Sequence, residues 1–297
     1  MADDQLVFFS AWFCPFAQRA HIALEAKGVN YEYVECVLYE GDASTKVALP
    51  VEEKRRRNPE FVRSSPLGLV PAFHDLRRNG RVHESHVCVS YVDEAFEGPP
   101  LLPADPVERA RVRAAIIYFD DKVRPHFYAI LMRPDAAGRA KAAADFTAGL
   151  AGLSTRLAEG SGPFFCGSQF SSFECSVLPW LQRIFSVLAH YRGYELPTEG
   201  TDPAFDRLRA WYAACLAQPA FASTICDRER LIGNYSGYAD NSATSDCAVK
   251  VRGAVGFSGT SKAAAECRGR AQRRLLVACA VIGCLAAVGA TARQLRR

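Results

Sequence analysis

Eleven cysteines are spread through these 297 residues. No two form a C-x-x-C pair and none cluster at zinc-like spacing, so the sequence gives no ground for a dithiol motif or a metal site. No secretory leader is expected either, since polar Asp3, Asp4 and Gln5 follow Met1-Ala2. With an odd cysteine count, that points to a reducing compartment and against a disulfide framework. There is no large excess of one charge. A formal net charge of +4, part of it in C-terminal arginines, does not call for a nucleic-acid partner. What is present is a globular balance, 49% hydrophobic and 23% charged, with enough chain for two modest domains.

One stretch carries no charge at all. Leu275–Ala292, LLVACAVIGCLAAVGATA, is bracketed by Arg273-Arg274 and by Arg293, Arg296 and Arg297. About 18 apolar residues is near the minimum for a helix that spans a bilayer, and the Ala, Gly and Cys content makes insertion marginal. The segment lacks a polar face and follows residues 240–272, rich in Ser, Thr, Ala and Gly, which read as a flexible tether. The expectation is one C-terminal transmembrane anchor in contact with the lipid bilayer, with a buried core helix as the alternative.

The opposite end holds the chemistry. Leu6-Val7-Phe8-Phe9 is a short apolar run of strand type, and Phe16 to Lys27 carries apolar groups near helical spacing before closing at Gly28. Proline is favoured at the first helical position, so Pro15 places Cys14 at the N-cap. Free backbone N–H groups and the helix dipole favour negative charge there, which stabilises thiolate over thiol. Arg19 and His21 are candidates for added positive charge, and Cys14 is the candidate nucleophile.

Tyr31 to Leu38 reads as a second strand, and the basic run Glu53 to Asn58 as a solvated loop or helix face. Val70 to His74 reads as a strand despite Pro71. That proline is acceptable if Val70–Pro71 is cis at an edge whose backbone is free to bind something. Asn79-Gly80 signals a hairpin, Arg81 to His83 a short strand, and Ser85 the N-cap of a helix over His86 to Glu97. Strand-helix-strand followed by strand-strand-helix is the thioredoxin-like pattern. After Gly98-Pro99-Pro100 only helices are expected: Val107 to Val123, Ala136 to Glu159, Phe170 to His190 behind a Ser171-x-x-Glu174 capping box, and Phe205 to Ala217. The domains expected are therefore 1–98 (thioredoxin-like α/β), 104–236 (all-α), the tether 240–272 and the anchor 275–292.

Trp12-Phe13-Cys14-Pro15-Phe16 with Gln18-Arg19, Pro66-Leu67-Gly68-Leu69-Val70-Pro71, and Glu84-Ser85 before Tyr91-Val92-Asp93-Glu94 occur in order. With LLPADPVERARVR, PFFCGSQFSSFE and LPWLQRI they resemble glutathione transferases of the cysteine-containing kind, similar to the omega, lambda and dehydroascorbate-reductase classes. The resemblance covers Leu6 to about Tyr235. It implies glutathione as cosubstrate, meeting Cys14 and Phe16, with the Val70 backbone beside a cis Pro71 pairing its cysteinyl backbone. Glu84 would pair with the γ-glutamyl amine, and Ser85, at a helix N-terminus, would receive the γ-glutamyl carboxylate. Where omega-type relatives carry a lysine before a Pro-Glu-aromatic triplet, this chain has Asn58, with Arg57 beside it. Both are carried as candidates for the glycyl carboxylate. Trp180 resembles an aromatic of the second-substrate pocket, with a packed helix residue as the other reading.

A cysteine in place of a catalytic hydroxyl attacks sulfur and forms a mixed disulfide with glutathione. The expected activity is thioltransferase or dehydroascorbate reductase. The cycle is expected to be monothiol, because Phe16 and Ala17 fill the places of a second motif cysteine. The alternatives are a conjugating or deglutathionylating transferase at the same site, or a non-catalytic membrane-tethered binding module. The resemblance leaves the family's homodimer open. The anchor implies a C-terminally anchored enzyme facing the cytosol from an organelle outer membrane.

Overall fold

The computed structural model describes residues 6–41 and 46–254. The first strand, β1 (Leu6–Ser10), runs through the interior with Leu6, Phe8 and Phe9 buried. Helix α1 (Pro15–Lys27) follows and ends at Gly28, whose φ of 65° is the left-handed conformation that a Cβ disfavours. Then come β2 (Glu32–Glu35), the small antiparallel ribbon β3 (Tyr39–Glu40) and β4 (Val47–Ala48), α2 (Val51–Arg57), α3 (Pro59–Ser64), β5 (Ala72–Asp75), β6 (Gly80–His83) and α4 (Ser85–Ala95). The main sheet has the order β2–β1–β5–β6, with β1 parallel to β2 and antiparallel to β5. Phe8 lies opposite Tyr33 on one side and Phe73 on the other. This is the expected thioredoxin-like arrangement.

Local differences have local causes. The strand expected over Tyr31–Leu38 is confined to Glu32–Glu35 because its partner β1 ends at Ser10, opposite Glu35. The basic run sits on α2, and Asn58 caps α3 by accepting the Phe61 N–H at 2.9 Å. Ser85 is the first residue of α4 rather than its N-cap, which is Glu84 at a φ of 73°.

The second domain is helical: α5 (Pro106–Lys122), α6 (Arg124–Met132), α7 (Ala136–Ala158), α8 (Ser172–Arg183), α9 (Ala189–Arg192), α10 (Pro203–Leu216), α11 (Pro219–Ala222), α12 (Arg228–Asn234), α13 (Ser236–Ala239) and α14 (Asp246–Ala254). Every residue of α8 is buried, which makes it the axis of this domain. Its capping box is complete: Glu174 accepts from the Ser171 backbone and also holds the Phe165 N–H and Trp211 Nε1. The single helix expected over Phe170–His190 is interrupted by a π turn, Ile184–Leu188, between α8 and α9.

The tether does not begin at residue 240. Ser242, Ala243, Ser245 and Ala248 are buried and α14 packs on α6. Small side chains without an apolar period can pack closely, which is why composition alone read them as linker. Residues 255–272 of the expected tether, and Leu275–Ala292, lie outside the described residues. Among the described residues no helix is long and apolar enough to cross a membrane.

The two domains meet across a polar seam under the Cys14 turn. Gln18 Nε2 donates to Gln182 Oε1 at 3.1 Å, Arg19 reaches Asp120, and Arg183 donates to the Phe13 carbonyl at 2.9 Å. Each such bond nets about 1 kcal/mol, but leaving one member unpaired costs more. The seam therefore fixes how the domains face each other more than it adds to stability.

Candidate active site

Cys14 stands at the N-cap of α1, extended at φ −81° and ψ 118°, with Pro15 behind it and its own N–H bonded to Ala11 O. The thiol is half-buried, with Sγ 4.0 Å from the Val70 carbonyl. Burial pushes this thiol above its ordinary value. The N–H groups of Ala17 and Phe16, then the charges of Arg183 and Lys46, pull the other way. The N-cap effect expected from the sequence is therefore present, and desolvation outweighs it. Arg19 and His21 contribute nothing to it. Arg19 is buried against Asp120, Ser85 and the face of Trp180, and His21 bonds Tyr31.

A cavity of about 240 Å3 opens in front of Cys14. Phe16, Val70, Pro71, Glu84 and Ser85 all line it. Val70–Pro71 is cis, and β5 begins only at Ala72, so the Val70 backbone lies outside the sheet ladder. Glu84 holds a positive φ that a non-glycine residue adopts at a cost of about 1–3 kcal/mol. Its exposed carboxylate stands on the cavity rim. Ser85 is buried beside it, and its Oγ accepts from Arg19 Nη1 at 3.3 Å. Arg19 in turn pairs with Asp120 at 2.6 Å. Burial raises the Asp120 carboxyl, but the His86 bond and the Arg19 charge outweigh it and hold the group well below the usual carboxylate range. The Ser85 hydroxyl is thus set by a buried ion pair that spans both domains.

Three candidates fall elsewhere. Arg57 is taken up by Glu53 and Glu40, Asn58 spends its side chain capping α3, and neither lines the cavity. Trp180 is 1% exposed, packed edge-on against Phe16 and Phe119, and lines neither this cavity nor its neighbour.

The cation that does line the cavity is Lys46, immediately before β4. Its ammonium lies 4.8 Å from the Phe13 ring, 5.3 Å from Tyr238, 5.7 Å from Tyr235 and 5.8 Å from Tyr39. The side chain is 4% exposed and has no carboxylate partner among the described residues. Burial lowers it to about 7 against the opposing pull of Cys14 and Cys247. The far wall is Tyr128, Asn234, Tyr235, Tyr238 and, from α14, Asp246 and Cys247. None of these was singled out in the sequence. The one signal available was the pair Tyr235 and Tyr238, three apart and close behind a helical pattern. A second cavity of about 620 Å3 adjoins the first through Phe16, Tyr128 and Cys247, and it also carries Arg124, Lys141 and Lys250. Its lining is mainly apolar with a cationic edge, as suits a second substrate.

Residues 13–95 match the family described as glutathione S-transferase, N-terminal domain, and residues 136–214 match glutathione S-transferase, C-terminal domain. The chain is 31% identical to a probable glutathione S-transferase GSTU6 of Oryza sativa subsp. japonica, across 76% of this chain and 90% of that one. It is 26% identical to glutathione S-transferase omega-1 of Sus scrofa, across 72% of this chain and 78% of that protein. Among solved structures, glutathione transferase Omega 3C from Trametes versicolor superposes with a TM-score of 0.65 at 30% identity, over 80% of this chain and 91% of that one. The chain belongs to the glutathione S-transferase family.

Proposed function

We propose that this protein is a glutathione-dependent thioltransferase or dehydroascorbate reductase that works through a Cys14–glutathione mixed disulfide. The observation that carries the reading is the group at the head of α1. It is a half-buried thiol facing two first-turn N–H groups and opening onto the cavity, at the point where a conjugating enzyme needs only a hydroxyl that hydrogen-bonds glutathione.

In this reading Cys14 thiolate attacks the glutathionyl sulfur of a mixed disulfide. The Cys14–S bond forms as the substrate's S–S bond breaks, and the substrate thiolate leaves with the electron pair and takes a proton. A glutathione thiolate then attacks the same sulfur, which releases oxidised glutathione and restores Cys14. With dehydroascorbate as acceptor, two glutathiones give up two electrons and two protons, yielding ascorbate and oxidised glutathione. The Val70 backbone, Glu84 and Ser85 serve as the anchors for glutathione, and Lys46, in place of Arg57 or Asn58, is the group for its second carboxylate. The adjoining cavity also favours a second reading, reductive removal of glutathione from an apolar, anionic adduct.

We also keep Leu275–Ala292, outside the described residues, as a proposed membrane anchor on the strength of its charge-free length and arginine flanks. It would hold the enzyme on the cytosolic face of an organelle outer membrane. Release of the full chain from membranes by alkaline carbonate would refute this. A homodimer is proposed by analogy with the family, and sedimentation of the full chain checks it.

The test of function is oxidation of glutathione coupled to a small mixed disulfide and to dehydroascorbate, with Cys14→Ser alongside. We expect turnover with at least one acceptor and its loss in the variant. Conjugation of an aromatic halide that survives in Cys14→Ser, with no disulfide turnover in either protein, would overturn the reading. Glutathione binding without any turnover would favour the non-catalytic module.

A further inference from the structure

We propose that Cys247 is a second redox thiol of this site, which attacks the Cys14–glutathione mixed disulfide and closes a Cys14–Cys247 disulfide. This deepens the reading above and rests on it.

The placement comes first. Cys247 lies in the first turn of α14 and lines the same cavity as Cys14. Its segment is tied to the cavity wall. Thr244 forms a parallel bridge with Val47, Thr244 Oγ1 donates to Lys46 O at 3.4 Å, and the Tyr238 and Ser245 hydroxyls are 2.7 Å apart. One short stretch of backbone, Lys46-Val47, thus joins the lysine to the segment that leads into Cys247.

Lys46 is the second, independent observation. A buried ammonium without a carboxylate is expensive unless something else answers its charge. Four aromatic rings supply part of the answer. The groups that raise its proton affinity, through the charge they carry when ionised, are the two sulfurs, Cys14 and Cys247. Lys46 is therefore aimed into the space that both thiols share.

Burial pushes Cys247 up to about 11, eased by the bond from the Tyr128 hydroxyl, so unaided it is a poor nucleophile at neutral pH. An ammonium on Lys46, in the space that both thiols line, offsets the charge of the Cys247 thiolate as it forms. The other groups facing this space are Tyr39, Tyr235, Tyr238 and Arg183 around Lys46, Arg124 and Lys250 beside Cys247, and Asp246, His83 and Glu84 on the rim.

The step balances without an outside reagent. Cys247 thiolate attacks the Cys14 sulfur of Cys14–S–S–G, the Cys14–Cys247 bond forms, and glutathione leaves as thiolate and takes a proton. Two glutathiones later reduce the bond and depart as oxidised glutathione. The oxidising equivalent is the disulfide substrate of the proposed reaction. Closing the bond brings the two Cα atoms to within about 7 Å of each other.

The test incubates full-length protein with oxidised glutathione, traps free thiols with N-ethylmaleimide, and maps peptides by mass without reduction. In the wild type we expect a cross-linked pair containing residues 14 and 247. In Cys247→Ser we expect a glutathionyl group retained on Cys14 instead. Wild type that carries glutathione on Cys14 with no cross-link overturns this inference and leaves the proposed function standing. No adduct on Cys14 in either protein, and no cross-link, overturns the proposed function and this inference with it.

Discussion

Replacing Asp120 with Asn tests whether the ion pair under Ser85 organises the site. Arg19 is 1% exposed, and Asp120 receives Arg19 Nη2 at 2.6 Å, His86 Nε2 at 2.6 Å and Arg124 Nε at 2.9 Å. Removing one partner of a buried pair costs about 3–5 kcal/mol, because the other charge is left uncompensated. Arg19 keeps the Ser176 carbonyl at 2.9 Å and the Trp180 face at 4.4 Å, and Asn keeps one oxygen. The lower end, about 3 kcal/mol, is therefore expected. With a urea dependence near 3 kcal/mol per molar, the unfolding midpoint falls by about 1 M. The sign with pH is fixed by the depressed Asp120 carboxyl. Its contribution is complete above the unfolded value near 4 and is lost as pH falls through the lower folded value. The gap between wild type and variant should therefore hold from pH 7 to about 4 and then narrow by roughly 1.4 kcal/mol per unit. Because Arg19 also donates to Ser85 Oγ, KM for glutathione should rise more than kcat falls. A variant within about 1 kcal/mol of wild type at pH 7, or a gap that is constant down to pH 3, would refute this account.

Two further outcomes follow from buried groups. Glu174→Gln should cost about 2–4 kcal/mol in chemical unfolding, because the carboxylate accepts from Ser171 N and Oγ, Phe165 N and Trp211 Nε1, and an amide nitrogen can accept from none of them. A loss under about 1 kcal/mol would show that the cap and the Trp211 contact are dispensable. Alkylation of Cys14 by iodoacetamide should keep accelerating past about pH 8.5, since burial holds the thiol above its ordinary value. Lys46→Met removes a cation that pulls the thiol down, so its rate at pH 6.5, where Lys46 is mostly charged, should be lower than in the wild type. A rate that levels off below pH 8, or is indifferent to Lys46, would contradict the electrostatics described for the site.

What could be read in advance was whatever is encoded locally. Cys14-Pro15 fixes a helix start within two residues, Ser171-x-x-Glu174 fixes another within four, and Pro71 marks the break before β5. Each is a short-range statement about backbone donors, which is why the position of Cys14 and the succession of the main strands and helices followed from the chain alone. The protonation of Cys14 did not follow. The helix terminus that lowers it is local, but the burial that raises it is tertiary: Cys14 packs against the cluster of Phe9, Phe61 and Val70, and Tyr235, Tyr238 and α14, some 220 residues away or more, wall the cavity in front of it. Arg57 and Asn58 were candidates for the glycyl carboxylate through the resemblance at the Pro-Glu-Phe triplet. The structure gives them to Glu53, Glu40 and the Phe61 N–H.

Lys46 was hidden for the opposite reason. It sits in a polar stretch without apolar period, and it is buried by the rings of Phe13, Tyr39, Tyr235 and Tyr238 with residues 242–248 docked beside β4. That docking is built from Ser, Ala and Thr, the composition that makes a segment read as linker. Their small side chains let the segment approach the Lys46-Val47 backbone closely enough to pair with it. The segment's weak sequence signal and its position at the site therefore have one cause. If α14 completes the site, the functional unit extends past residue 236 to at least Ala254, and a truncation near Asp240 removes a wall of the cavity along with the supposed tether.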